Sequence, residues 1–202
     1  MAEIRVVAIY GSPRREGNTA RLLREAVRGI VDEGGLVTEF FLRDMNISPC
    51  LEIYGCKQQG RCVIQDDFQK IADAIEASDG IALASPVFFY TVSAHTKAFM
   101  DRCQSFWVKK YWIDRVPFGS RNYKRAGLFI SVGATKGQKL FDGVLLTVRY
   151  FLDAIDATLW KSLLYRELDA PDDILKKPAY LEEAYATGRA FVEFLRTMKK
   201  NQ

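Results

Sequence analysis

The chain has 202 residues, of which 49% are hydrophobic and 27% charged, so it is neither disordered nor fibrous and has the length of one domain. Lys plus Arg number 29 and Asp plus Glu 25, and the resulting +4 is too small and too dispersed for a nucleic-acid footprint. No apolar run approaches the ~18 residues that span a bilayer. The start, Met1-Ala2-Glu3-Ile4-Arg5, carries no basic-then-apolar leader, which points to a cytoplasmic location.

Short apolar runs alternate with amphipathic stretches. Ile4 to Tyr10 reads as a strand. Asn18 can cap a helix whose Leu22, Leu23, Ala26, Val27 and Ile30 recur at helical spacing, and Gly34-Gly35 ends it. Leu36 to Phe41 is a second strand. Asp66-Asp67 can cap a helix with Phe68, Ile71, Ala72 and Ile75 on its apolar face. Ile81 to Ser85 is a buried strand ending at Pro86, and Ser93 caps a helix running to about Phe106. Ala126 to Val132 and Thr158 to Tyr165 are further strands around a helix over Leu140 to Leu152, and Tyr180 to Lys199 is a final helix. Five strands separated by helices predict an α/β domain with a parallel sheet and helices on both faces. The whole chain, 1–202, reads as a single domain. Two connections are unusually long: 45–65, which holds three of the four cysteines, and 107–124, which is aromatic and basic.

The first strand runs into Gly11-Ser12-Pro13-Arg14-Arg15-Glu16-Gly17-Asn18-Thr19 and then a helix. Such a junction makes an anion site, because backbone N–H groups converge where the helix dipole is positive. Ser12, Asn18 and Thr19 add donors, and Arg14 or Arg15 adds charge. It is not a Walker loop, since no Gly-Lys-Ser/Thr follows, and the three-glycine dinucleotide spacing is absent.

Gly11-Ser12-Pro13-Arg14 with Gly17-Asn18-Thr19 resembles the FMN-phosphate loop of the flavodoxin-like NAD(P)H-dependent FMN reductases, and most closely their iron-sulfur flavoprotein branch. The resemblance covers roughly Ile4 to Leu168. It implies a flavodoxin-like five-stranded parallel sheet and places the phosphate at Ser12, Arg14, Asn18 and Thr19. It also implies that Ser85-Pro86-Val87-Phe88-Phe89-Tyr90 meets the flavin ring. Ser93-Ala94, Lys97 and Asp101-Arg102 match the family too. Two positions depart from it: Phe88 stands where Tyr is usual and Tyr90 where Gly is usual. The second bears on access to the ring, because Tyr cannot easily take glycine's backbone angles. Ser131-Val132-Gly133-Ala134 resembles a third FMN loop, with Gly133 and Ala134 as contacts. The expected ring platform is therefore Pro86, Val87, Phe88, Phe89, Tyr90, Gly133 and Ala134.

Cys50, Cys56 and Cys62 lie in one loop, and cytosolic thiols favour metal or redox use over a disulfide. These three are the candidate metal ligands. The iron-sulfur branch has four cysteines, and Ile53 stands in place of the second. Because a hydrocarbon side chain cannot ligate iron, a cluster-free segment ranks first. A cluster on three thiolates ranks second, and zinc or free thiols last. His95 and Cys103 have no assigned role. The aromatic and basic stretch, with Trp107, Tyr111, Trp112, Phe118 and Tyr123, suits a subunit contact or a lid over the flavin.

The function implied is an FMN-dependent oxidoreductase that takes hydride from NAD(P)H and passes electrons to a quinone, flavin or other acceptor. The alternative is an iron-sulfur flavoprotein-type electron carrier that exchanges electrons with a ferredoxin-like partner. The partners expected are a small-molecule acceptor or redox protein and further copies of the chain, with neither nucleic acid nor membrane. No acid–base side chain is named as catalytic. A receiver domain would need an acidic pocket where this chain has Gly11-Ser12-Pro13-Arg14.

Overall fold

A computed structural model describes residues 3–201, so the Met1-Ala2 part of the amino-terminal reading lies outside the described residues. Five strands form one sheet in the order β2-β1-β3-β4-β5: β1 (Ile4–Tyr10), β2 (Gly35–Phe41), β3 (Gly80–Ala84), β4 (Arg125–Val132) and β5 (Ala157–Tyr165). All neighbours are parallel, with Val6 opposite Val37 and Gly80. Parallel strands need crossovers, which helices supply on both faces.

Alternation along the strands divides the core in two. Ile4, Val6, Ala8 and Tyr10 face α1 (Asn18–Asp32) and the carboxyl-terminal helix Pro178–Lys200. Val7 and Ile9 face α2 (Phe68–Glu76), α3 (Ala94–Arg102) and the helix Asp142–Ala154. The four apolar positions of α2 predicted from spacing are all buried. The first and last helices touch backbone to backbone. A Cβ at Gly29 would sit 2.1 Å from the Tyr185 carbonyl, and one at Gly188 would sit 2.0 Å from the Ala26 carbonyl. Only glycine permits that approach. Among the described residues no helix is long and apolar enough to cross a membrane.

Three local readings are corrected. Asn18 is the first helical residue and Gly17 takes the cap position, with no side-chain cap. The Asn18 side chain is used elsewhere: it donates to the Ala170 carbonyl at 2.8 Å and accepts from the Ile174 N–H at 3.1 Å. Second, the helix expected from Ser93 to about Phe106 pauses at Cys103 and resumes as α4 (Gln104–Val108), which runs into a π-turn over Lys109–Ile113. The π-turn coincides with the burial of Lys110 and Tyr111, both of which bind Asp153.

Third, the 107–124 stretch is not a lid over the proposed flavin site. It is anchored at the amino-terminal ends of the strands, because α3 carries the chain back there before β4 begins. Asp153 accepts from Lys110 Nζ (3.0 Å), Tyr111 Oη (2.7 Å) and Tyr123 Oη (3.2 Å). Trp107, Tyr111 and Phe118 pack against one another above it. The cysteine loop leans on this stretch, with Lys57 Nζ 4.0 Å from the Tyr54 ring centre and 4.7 Å from that of Trp112.

Candidate functional site

The carboxyl ends of β1, β3, β4 and β5 release four loops around one cavity of about 330 Å³. This is the place where open α/β sheets bind ligands, and the size is at the lower end of the range for small-molecule sites. Buried hydroxyls hold the floor together. Ser93 Oγ donates to the Gly11 carbonyl at 2.5 Å and accepts from the Thr96 N–H at 3.3 Å. Ser85 Oγ accepts from the Ser93 N–H at 3.0 Å, and Ser131 Oγ donates to the Ser85 carbonyl at 2.7 Å. A Cβ at Gly11 would meet Thr96 Oγ1 at 2.0 Å, so this packing requires glycine.

One end of the cavity is polar. Ser12, Arg14, Gly17, Asn18 and Thr19 line it. The first amides of α1 open here without a side-chain cap and, like those of any helix, lack intrahelical partners. Thr19 is 2% exposed, and its hydroxyl bonds to no described residue. Arg15 pairs with Asp44 at 2.8 Å, whereas the Arg14 side chain has no carboxylate partner among the described residues and donates only to the Asp169 carbonyl at 3.3 Å. The structure thus separates the two arginines and leaves Arg14's charge at the cavity. The donor set fits a dianionic phosphate without a metal.

The other end is apolar and close to backbone. Pro86, Val87, Phe88, Val132, Gly133 and Ala134 line it, with Leu168 closing the far side. Nine of the eleven residues expected to contact the cofactor are therefore together. Phe89 and Tyr90 are not among the lining residues. They form the tip of a tight hairpin in which Phe88 and Thr91 exchange backbone hydrogen bonds of 2.9 Å. Both tip residues have positive φ, 47° and 62°, as a type I′ turn requires. Phe89 is 100% exposed. Tyr90 lies against the first turn of the helix Asp142–Ala154, where a Cβ at Gly143 would sit 2.4 Å from the Tyr90 carbonyl oxygen.

Sequence reasoning missed Leu168 and Asp169, which belong to the cavity wall. The only signal was a charged turn, Glu167-Leu168-Asp169, more than a hundred residues from the phosphate loop. Leu168 is fixed by its N–H to the Gly133 carbonyl (3.3 Å), and Asp173 Oδ2 accepts from the N–H groups of Asp169 (3.1 Å) and Ala170 (2.8 Å).

The cysteines lie outside this cavity. Cys50 is exposed, and Cys56 and Cys62 are half-buried. Burial pushes the Cys56 thiol up, and the nearby Cys62 and Cys50 push it further, so the three share one neighbourhood. Cys62 Sγ instead accepts from Arg102 Nε at 3.1 Å. Ile53 adds an exposed hydrocarbon where a fourth thiolate would stand. Among the described residues no group of three His, Cys, Asp or Glu side chains is arranged to hold a metal ion. This donor set does not fit a four-ligand cluster.

Comparison with known proteins gives the family and the fold. The family model described as NADPH-dependent FMN reductase matches residues 4–157. An iron-sulfur flavoprotein of Methanocaldococcus jannaschii is 41% identical over 66% of this chain and 64% of its own length, so the chain spans less than two thirds of that relative. An iron-sulfur flavoprotein of Archaeoglobus fulgidus is 35% identical over 74% of this chain and 73% of its own. Among solved structures, an NAD(P)H:quinone oxidoreductase from Methanothermobacter marburgensis superposes with a TM-score of 0.71 at 16% identity, covering 93% of this chain and 96% of that one. At that identity the likeness concerns the fold alone, and it is the flavodoxin-like fold expected from the loops. On the family match and these relatives, the chain belongs to the NADPH-dependent FMN reductase family, in its iron-sulfur flavoprotein branch.

Proposed function

We propose that the protein is an FMN-dependent oxidoreductase that takes electrons from NAD(P)H and delivers them to a small acceptor in the cytoplasm. The observation that carries this reading is the two-ended cavity. Arg14, Ser12, Thr19 and the open amides of α1 stand at one end, and Pro86, Val87, Phe88, Gly133 and Ala134 at the other. An elongated ligand with a phosphate tail and a flat apolar head matches both ends. When bound, FMN supplies the hydride chemistry. The chain's own residues anchor and exclude water. Arg14 and the α1 amides would hold the phosphate, Leu168 closes the side wall, and the small Gly133 and Ala134 would leave room for the ring.

Membership of the family and the names of its relatives support this reading. The test is an anaerobic titration of the purified chain with FMN, followed by addition of NADH or NADPH. Tight 1:1 uptake and bleaching of the flavin band are expected. A chain that refuses FMN would overturn the proposal.

The names of the relatives favour a second reading, an electron carrier that serves a protein partner. Slow bleaching by NAD(P)H with fast bleaching by a reduced ferredoxin would select it.

A further inference from the structure

We propose that Cys56 and Cys62 are a dithiol pair that peroxide oxidises to a disulfide, in a loop whose donors do not fit a cluster. Flavin chemistry plays no part in this step. With Ile53 in the fourth position, the three thiols of the loop are left for chemistry other than four-ligand metal binding. The chain is pinched around two of them. The turn Cys56–Gln59 is closed by the Gly60 N–H on the Cys56 carbonyl at 2.7 Å, and Gly60 then reverses the chain at φ 69°. Gly55 and Val63 meet on the other side, where a Cβ at Gly55 would sit 2.5 Å from Val63 Cγ1. Cys56 and Cys62 are thus held alongside each other, between the contact of Gly55 with Val63 and the reversal at Gly60. Electrostatics singles out the same pair. After burial, the Cys62 sulfur raises the Cys56 thiol more than the Cys50 sulfur does.

The two sulfurs are not equivalent. Cys62 is fixed, because Gln69 Nε2 donates to its carbonyl at 2.9 Å and Arg102 Nε to its sulfur at 3.1 Å. The Arg102 side chain is fully buried, so water does little to screen its charge from that sulfur. A cation donating to sulfur is the setting in which cysteines act as nucleophiles. Cys62 is therefore the attacking thiol and Cys56 the resolving one. The Cys62 sulfur bonds to one peroxide oxygen, the O–O bond breaks, and the other oxygen leaves as water with the thiol proton. Cys62 is then a sulfenic acid. The Cys56 sulfur attacks it, the S–O bond breaks, and a second water leaves with the Cys56 proton. Two electrons pass from the thiol pair to one peroxide, and the loop over 56–62 is covalently closed.

The full chain, reduced and then freed of reductant, is treated with hydrogen peroxide. Free thiols are counted, and tryptic peptides are mapped without reduction. Trypsin cuts after Lys57 and Arg61, so the disulfide joins the peptides 44–57 and 62–70. Loss of two of the four thiols, restored by dithiothreitol, is expected together with that joined pair. Cys50→Ser keeps the link, which assigns it to Cys56. Cys56→Ser loses the link and leaves Cys62 as a sulfenic acid that dimedone traps. A link that survives Cys56→Ser overturns the assignment, since Cys50 would then be the partner. So does oxidation that begins at Cys50, the open thiol, because exposure alone would then set the order. A link between two chains, no loss of thiols, or iron retained by the anaerobic protein overturns it as well. FMN uptake is measured on the same samples, and its outcome bears on the functional reading alone.

Discussion

Arg102 and Asp66 form a two-pronged ion pair, Nη1 to Oδ2 at 2.6 Å and Nη2 to Oδ1 at 3.1 Å, with side chains 0% and 7% exposed. The remaining guanidinium donors are also used. Nη1 reaches the Ser48 carbonyl (2.9 Å), Nη2 the Ile64 carbonyl (3.0 Å) and Nε the Cys62 sulfur (3.1 Å). One side chain of α3 therefore holds three points of the cysteine loop. Arg102→Ala is expected to destabilise by about 3–5 kcal/mol, because it strands Asp66 in a dry site. Arg102→Lys should recover only part of that loss, since an ammonium cannot make the fork. Urea unfolding of the three proteins checks it.

The same pair sets an acid limit. Burial pushes the Asp66 carboxyl up, but Arg102 and the N–H groups of Ser48 and Phe68 outweigh it and hold it below its usual range. A depressed carboxylate adds stability above its unfolded pKa of about 4, and that stability is lost as pH falls through the folded value. The gap in urea midpoint between wild type and Asp66→Asn is therefore expected to be constant from pH 5 to 7 and to narrow below about pH 4. A gap independent of pH down to 2.5 would falsify this.

Arg14 and Asn18 separate affinity from stability. Arg14 is exposed and makes one long bond to a carbonyl, so Arg14→Ala should weaken FMN binding roughly tenfold or more and leave the melting temperature alone. Asn18 ties down Ala170 and Ile174. Asn18→Ala should lower both FMN affinity and stability, the latter by about 1–3 kcal/mol, since it leaves the buried Ile174 N–H without its acceptor. Fluorescence titration with FMN and thermal melts read the two effects side by side.

The hairpin tip offers a stabilising substitution. Asn tolerates the left-handed region, and Phe89 has no contact to lose. Phe89→Asn is expected to add about 1 kcal/mol and raise Tm by roughly 2–4 °C.

The thiols should react in order of exposure. Cys50 is open, Cys56 and Cys62 are half-buried, and burial raises the Cys103 thiol well above its ordinary range. A chromogenic disulfide reagent is expected to titrate Cys50 first, then Cys56 and Cys62, and Cys103 only after unfolding. Iron and acid-labile sulfide assayed on the same anaerobic sample should both be absent.

What the sequence revealed was local. Alternation of apolar runs with amphipathic stretches located every strand, and most residues at the two ends of the cavity were legible because they are contiguous along the chain. The features that stayed hidden pair distant positions. Asp66 looked like a helix cap, and its Phe68 N–H bond agrees, but its ion pair lies 36 positions away. Asp153 is an unremarked acid in a helix until Lys110, Tyr111 and Tyr123 converge on it. Asn18 satisfied the rule for a cap, yet its amide crosses 152 positions to Ala170. Tyr90 in a glycine position did signal an unusual turn. Nothing in the residue types said that Phe89 would share it.

The cavity wall has a consequence for biosynthesis. Arg14 and Asp169 meet across 155 positions, and Asp169 lies beyond the stretch that the family model matches. A chain emerging from the ribosome completes the loop over residues 11–19 early but cannot close the cavity until β5 has paired and the following turn has docked on Gly133. The cavity is thus the last feature of the sheet's carboxyl edge to form, completed by residues that the chain delivers after β5.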